Sequence, residues 1–357
     1  MAKYSAMVIE SRTRYFEEVF PKSPSYRLRQ FEAAFFTPGF RSIEDITTLS
    51  KAEREALKGC PWICLKDVKV LSAKKGDTYK AIMTLHDDKE IESVLMQNAR
   101  GHWSLCVSSQ IGCAMACTFC ATGTMGFTRN LTVDEIVDQY RFWMMFLEDR
   151  PELPERITNI VFMGMGEPLA NYKNVKETIQ TILKYTEIGP TRITVSTVGL
   201  IPMLTQILND ETWPPVRLAV SLHSADPKTR TDIMPSSYPQ FLDKLYEWTE
   251  KYFAKFASRR RHLTFEYVML SKVNDTSEHA KALIRFARRV GKVRINLIPY
   301  NFTGEVYRDS LPADFARFEG ELREAGVLVT RRRTMGDDIA AACGQLVVEN
   351  SKVKTNV

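Results

Sequence analysis

Residues 113–120 read CAMACTFC, a C-x3-C-x2-C run with Phe119 directly before the last cysteine. Cys113, Cys117 and Cys120 can face one centre only if their loop wraps around it. Thiolates are soft ligands that suit zinc or iron–sulfur clusters. A four-iron cluster normally takes four cysteines, so a motif that stops at three leaves one iron free to bind something else. A three-cysteine zinc knuckle is the plainer alternative, and spacing alone leaves it open.

Working outward, the run follows an apolar stretch at 104–111 (SLCVSSQI) that reads as a strand. Similar stretches recur at 157–163, 192–197, 217–223, 262–270, 293–299 and 327–332. Amphipathic helical patterns lie between them at 132–147, 173–185, 200–209, 240–256, 277–290 and 312–325, the first opened by the capping box Thr132-Val133-Asp134-Glu135. Six βα repeats predict an α/β fold with a parallel sheet and crossover helices. Six units cannot close an eight-fold barrel, so the expected solution is a partial (βα)6 barrel whose open side admits a large substrate.

The chain upstream is of another kind. Residues 1–58 mix apolar and basic residues in helical patterns, with a capping box at Ser50-Lys51-Ala52-Glu53. Residues 59–100 read as a β-rich extension whose strands YKAIMTL and EIESVLM flank a turn at 86–89. The barrel is expected over 101–347, with a tail at 348–357. Cys60 and Cys64 have no further ligand nearby and read as buried structural thiols.

Bulk properties set bounds. The 357 residues are 44% hydrophobic and 26% charged, with no apolar stretch long enough to span a bilayer and no signal-peptide pattern in residues 1–11. Seven cysteines, an odd number clustered as ligands rather than pairs, predict a reducing, cytoplasmic setting without membrane association. A net charge of +6 suggests nucleic acid only weakly. Two basic knots, at 259–261 and 331–333, read most simply as solvated faces.

In such a barrel chemistry belongs at the C-terminal ends of the strands. A cluster with one vacant iron is the signature of radical S-adenosylmethionine (SAM) enzymes, in which the amino and carboxylate groups of SAM chelate that iron. The second strand runs into Gly164-Met165-Gly166-Glu167-Pro168, where glycine permits close backbone approach and Glu167 could accept from the SAM ammonium. Ser196-Thr197-Val198-Gly199, Ser221-Leu222-His223 and Pro299-Tyr300-Asn301 follow later strands with small polar groups suited to a ribose or a carboxylate.

The runs LCVSSQIGCAMACTFCATGTMGFTRNLTVDEI, GMGEPLANY, STVGLIP, SLHS, FEYVML and GDDIAAACGQL together resemble the RlmN/Cfr family of radical-SAM RNA methyltransferases, in order, over about residues 25–346. The resemblance implies a [4Fe–4S] cluster on Cys113, Cys117 and Cys120. It also implies SAM contacts at Gly166, Glu167, Ser196, Ser221, Leu222, His223 and Asn301, with two SAM molecules consumed per turnover. Cys343 matches a methyl-carrying cysteine, Cys106 a second catalytic cysteine, and Glu92 a general base. The N-terminal SYRLRQFEAAFF run looks like the family's helical RNA-binding domain, and Arg27 and Arg29, with the knot around Arg260, are expected to contact phosphates. Removing residues 1–90 is then expected to weaken RNA binding and spare the cluster.

The implied chemistry explains the two cysteines. An electron-poor adenine carbon cannot displace a methyl group from SAM directly, so Cys343 takes the methyl first. A 5′-deoxyadenosyl radical then removes a hydrogen from it, the resulting carbon radical adds to the ring, and protein and RNA become crosslinked. Cys106 resolves the adduct by attacking sulfur, leaving a Cys106–Cys343 disulfide. The substrate implied is an adenine of 23S ribosomal RNA, in the RlmN branch also transfer RNA. The partners implied are an electron donor such as flavodoxin or ferredoxin, and the chain is expected to be a monomer. GEPL and RRRTMGDDI look more like the C2-methylating RlmN branch than the C8-methylating Cfr branch. The 234–239 run MPSSYP departs from the family's usual MPINxxYP, which leaves room for an altered RNA substrate. A radical-SAM enzyme with another substrate is the competing reading, opposed by the presence of both Cys106 and Cys343.

Overall fold

The computed structural model describes residues 11–98, 100–256, 263–291, 293–304 and 306–347. The knot at 259–261 and the tail at 348–357 lie outside the described residues.

Three helices open the chain: α1 (Arg12–Val19), α2 (Ser25–Ala34) and α3 (Lys51–Ala56). The Ser50 box caps α3 as its spacing predicts, with Ser50 and Glu53 bonded reciprocally. Three antiparallel strands follow: β1 (Leu65–Ser72), β2 (Thr78–Leu85) and β3 (Glu90–Gln97). The barrel proper starts at β4 (Trp103–Cys106) and continues through β5 (Gln110–Gly112), α4 (Ala121–Thr124), β6 (Phe127–Asn130) and α5 (Val133–Glu148). It proceeds with β7 (Ile157–Phe162), α6 (Tyr172–Tyr185), β8 (Ile193–Thr197), α7 (Ile201–Asn209), β9 (Arg217–Ser221), α8 (Pro227–Ile233) and α9 (Phe241–Lys255). The last elements are β10 (Leu263–Met269), α10 (Ser277–Val290), β11 (Arg294–Pro299), α11 (Pro312–Glu324) and β12 (Leu328–Arg331).

One sheet carries nearly everything, in the order β1-β2-β3-β4-β7-β8-β9-β10-β11-β12. From β4 onward neighbouring strands are parallel, giving the six crossovers that the alternation predicts. The sheet is open, with β1 and β12 at its edges.

Two details depart from the sequence reading. The stretch at 104–111 is not one strand: it breaks after Cys106, and β5 pairs instead with β6 in a separate two-stranded ribbon. Gly112 explains the tight neck, since its φ is +72° and a Cβ there would sit 1.9 Å from the Gly126 carbonyl oxygen. The C-x3-C-x2-C loop is thus tied off at its base, with Cys113 N donating to Gly126 O at 2.8 Å.

The second departure concerns separability. The β-extension shares the barrel's apolar core, while residues around Phe16, Phe31, Phe35 and Leu57 form a smaller core of their own. That smaller core is bolted to the barrel by fully buried Asp138 on α5, which accepts from both Arg12 terminal nitrogens (3.0 and 2.7 Å) and from Arg141. Cutting at residue 90 would strip β1 and β2 from β3 and remove Arg12 from Asp138. The expectation that residues 1–90 can be removed cleanly is therefore corrected.

Candidate active site

Cys113, Cys117 and Cys120 line one solvent-connected cavity of about 140 Å³ at the C-terminal ends of the strands. The loop holding them is braced from three sides. Ala116 adopts a left-handed φ of +51°, Thr118 N donates to Ile233 O at the end of α8 (3.0 Å), and Phe119 O accepts from Thr303. Burial raises all three thiols, Cys113 to about 11. They are free thiols, a donor set that bound iron would convert to thiolates. Among the described residues no three Cys, His, Asp or Glu side chains converge on one ion position. A cuboidal cluster needs no such convergence, because each thiolate takes a different iron. Three soft sulfur donors on one loop, set at a cavity wall, fit a cluster that leaves one iron to a small molecule.

Five of the seven residues expected to contact SAM line the same cavity: Gly166, Glu167, Ser196, Ser221 and His223. Gly166 has φ +97°, and a Cβ there would lie 2.5 Å from Gln110 Cβ. Glu167 is 2% exposed; Leu169 N and Val198 N donate to its two oxygens at 2.9 and 2.8 Å. Burial outweighs those bonds and pushes its carboxyl up to about 7. His223 sits at a left-handed φ of +54° and its Nδ1 accepts from Val268 N at 3.0 Å. Its proton therefore resides on Nε2, and burial, helped by the Arg230 charge, lowers its pKa to about 3. His223 is a neutral donor in this site. Leu222 lies beneath the surface, fully buried, its N–H donating to Glu266 O at 3.0 Å.

Asn301 falls elsewhere. It lines a second cavity, together with Cys106 and Cys343, and its Nδ2 donates to Cys343 O at 3.0 Å. Cys343 borders both cavities. Its segment is fixed to the cluster loop by Ala121 N to Gly344 O (2.8 Å) and by Thr122 Oγ1 to Leu346 O (2.6 Å). Cys343 is open to cavity solvent while Cys106 is 7% exposed. Burial raises both thiols, Cys106 to about 12; Cys343 adds to the rise at Cys106, while Arg332 eases the ionisation of Cys343. No disulfide joins them in this structure.

Glu92 lines neither cavity. It is buried on β3, paired with Lys80 Nζ at 2.9 Å, and accepts from Val347 N at 3.0 Å, three residues past Gly344. Burial raises its carboxyl and Lys80 opposes the rise.

Arg332 is the site residue that sequence reasoning missed. The 331–333 knot is split by the alternation of extended chain: Arg331 stacks on Phe315 at 4.1 Å and Arg333 faces the second cavity. Arg332 turns inward to border both cavities, 3.7 Å from Glu266 and 3.1 Å from Met163 Sδ. It lies directly past the end of β12, where Arg332 N still donates to Leu297 O at 2.8 Å, and that strand-end position is the signal that the charge run concealed.

Residues 107–287 match the model of the Radical SAM superfamily. The fold and thiol-lined cavity thus define a radical SAM enzyme. A crystal structure of a radical SAM methyltransferase from Sphaerobacter thermophilus superposes with a TM-score of 0.84 at 34% identity, covering 93% of this chain and 96% of that one. The chain is 39% identical over 335 residues to the dual-specificity RNA methyltransferase RlmN of Desulfotalea psychrophila, spanning 92% of this chain and 90% of that protein. It is 40% identical to the probable RlmN of Rhodopirellula baltica, spanning 92% and 86%. The chain belongs to the RlmN family of radical SAM methyltransferases.

Proposed function

We propose that this protein is a radical SAM RNA methyltransferase that methylates C2 of an adenine in 23S ribosomal RNA, and also in transfer RNA, through methylated Cys343 and a transient RNA crosslink. The observation that carries the reading is the position of Cys343, which alone among the cysteines borders both cavities. A group that receives methyl on one side and delivers it on the other must face two ways.

Cys113, Cys117 and Cys120 would hold the [4Fe–4S] cluster, and Glu167, Gly166, Ser196, Ser221 and His223 would seat SAM beside it. Bound together, cluster and SAM supply reductive cleavage of a sulfonium carbon–sulfur bond, and a further SAM supplies the methyl group. The chain's own residues do the rest. Glu167, ionised, pairs with the SAM ammonium, and neutral His223 donates from Nε2 without adding charge. Arg332 favours the thiolate of Cys343 that accepts methyl. The target base enters the second cavity, where Cys106 waits within the same walls to attack the bridging sulfur. Glu92 keeps its assignment to the ring proton on the family resemblance alone, since Lys80 and Val347 N hold it behind the Cys343 segment and outside both cavities.

An electron donor such as flavodoxin or ferredoxin and a monomeric, cytoplasmic enzyme complete the reading. Among the described residues no helix is long and apolar enough to cross a membrane. The test is mass spectrometry of nucleosides from 23S and transfer RNA treated in vitro with the reconstituted enzyme. 2-Methyladenosine in both RNAs is expected; 8-methyladenosine would move the chain to the other branch, and unmodified RNA would remove RNA from its substrates.

A further inference from the structure

Arg230, on α8, is 1% exposed, and its guanidinium pairs with no carboxylate among the described residues. Its Nη1 donates to Ser221 O (2.9 Å), Leu222 O and Met234 Sδ (2.9 Å), and its Nη2 donates to Val198 O (2.8 Å). Its Nε is buried without any partner, and the Phe241 ring covers its face at 3.9 Å. A buried cation is costly unless an anion compensates it. Neutral carbonyls at three sites and a thioether do not cancel a unit charge. Burial drives its pKa down to about 9, which still leaves it protonated at neutral pH.

Its position suggests what the charge is for. Arg230 is not among the residues lining the cavity; it stands behind the wall formed by Val198, Ser221 and His223. One turn further along, Ile233 O accepts from both Thr118 N (3.0 Å) and Thr118 Oγ1 (3.2 Å), and Thr118 lies between Cys117 and Cys120. Ile233 and Met234 pack with Phe119, and Cys117 and Cys120 lie against that apolar group. The guanidinium lies close enough for its charge to be felt at both His223 and Cys117.

We propose that Arg230 is a buried counter-charge for the iron–sulfur cluster, set behind the cavity wall to stabilise the cluster's one-electron-reduced state. A [4Fe–4S]2+ core with three thiolates carries a net charge of −1, and one electron from an external low-potential donor takes it to −2. A fixed cation in a dry wall stabilises the second state more than the first. Arg230 touches no reacting atom, so its part is electrostatic positioning. The proposal rests on Cys113, Cys117 and Cys120 being the ligands.

The experiment is a redox titration of the reconstituted full-length protein, following the reduced cluster by electron paramagnetic resonance. Arg230→Gln keeps donors and loses the charge, whereas Arg230→Lys keeps the charge and loses the planar fork. At the wild-type midpoint potential, the ratio of reduced to oxidised cluster should fall on the order of tenfold in Arg230→Gln, the size of effect expected for removing one unit charge from a desolvated wall beside the site. Arg230→Lys should stay near wild type. An unchanged ratio in Arg230→Gln, or equal falls in both variants, would mean that Arg230 only braces the three loops, and the proposal would be overturned. Should Arg230→Gln hold no cluster, Met234→Glu replaces the sulfur 2.9 Å from Nη1 with a neutralising carboxylate. It should lower the ratio where Met234→Gln does not; equal ratios in that pair overturn the proposal. Failure of the ligand assignment is separate, and appears as full iron content in Cys117→Ala.

Discussion

Cys106 and Cys343 occupy one cavity without being bonded, one nearly closed off and the other open to cavity solvent. That asymmetry suits an acceptor that meets its substrates first and a resolving thiol that acts last. Cys106→Ala should leave Cys343 methylated and still allow addition to RNA, then stall as a covalent protein–RNA adduct. Cys343→Ala should form no adduct. Denaturing electrophoresis with labelled RNA reads both, and a Cys106→Ala enzyme that turns over normally without adduct would refute the two-cysteine mechanism. Glu167 yields a pH prediction. Its carboxyl, raised to about 7 by burial, is above its unfolded value, so its contribution to stability is complete below about pH 4.5. That contribution, about 3 kcal/mol, is lost as pH rises through 7. Binding of the SAM ammonium needs the ionised form, so SAM affinity should rise between about pH 6 and 8. Glu167→Gln should bind weakly and with no such rise, as measured by equilibrium dialysis across that range.

At the scale of elements, Asp138 on α5 links the N-terminal helices to the barrel. Arg12→Ala leaves its carboxylate with Arg141 but without its bidentate partner. The loss should be about 3 kcal/mol, read as a lowered midpoint in chemical denaturation, with cluster content unchanged under native conditions. The helices and parallel strands of the barrel are legible in the sequence because buried strands are continuous apolar runs and the helices between them keep an amphipathic period, α5 also opening on a capping box. β1 is not, because Lys66, Asp67 and Lys69 decorate an edge strand whose faces are largely exposed. Nor is the break after Cys106: Val107 still donates to Val161 O in strand fashion before the chain turns to the ribbon, so its apolar pattern runs on unbroken. That Cys113, Cys117, Cys120 and Glu167 meet at one cavity is legible from spacing and strand-end position. The split of Asn301 from the other SAM-contact candidates is not, since only the tertiary path brings the Cys343 segment between them.

Across the whole molecule, the placement of basic residues governs how RNA can dock. The sequence assigns Arg27 and Arg29 to phosphates, but Arg27 is engaged within its own domain, donating to Thr48 O at 2.6 Å and lying 3.6 Å from Glu53. Arg29 is exposed and bonds only weakly to Ser25, at 3.4 Å. Arg333 stands beside Thr334 and Met335 at the second cavity, the one proposed to receive the target base. The two differ in distance from the chemistry, so they should differ in effect. Each phosphate contact releases condensed counterions and adds nearly one to the slope of log affinity against log salt, less on single strands. Arg333→Ala and Arg29→Ala should each lower that slope by about 0.7 to 0.9, and Arg27→Ala should leave it unchanged. Because Arg333 borders the cavity proposed to receive the base, its loss should also reduce crosslink formation by Cys106→Ala at saturating RNA, whereas loss of Arg29 should not. Filter binding at several salt concentrations gives the slopes. Should Arg27→Ala lower the slope while Arg333→Ala does not, RNA docks on the N-terminal helices alone and reaches the barrel by another route.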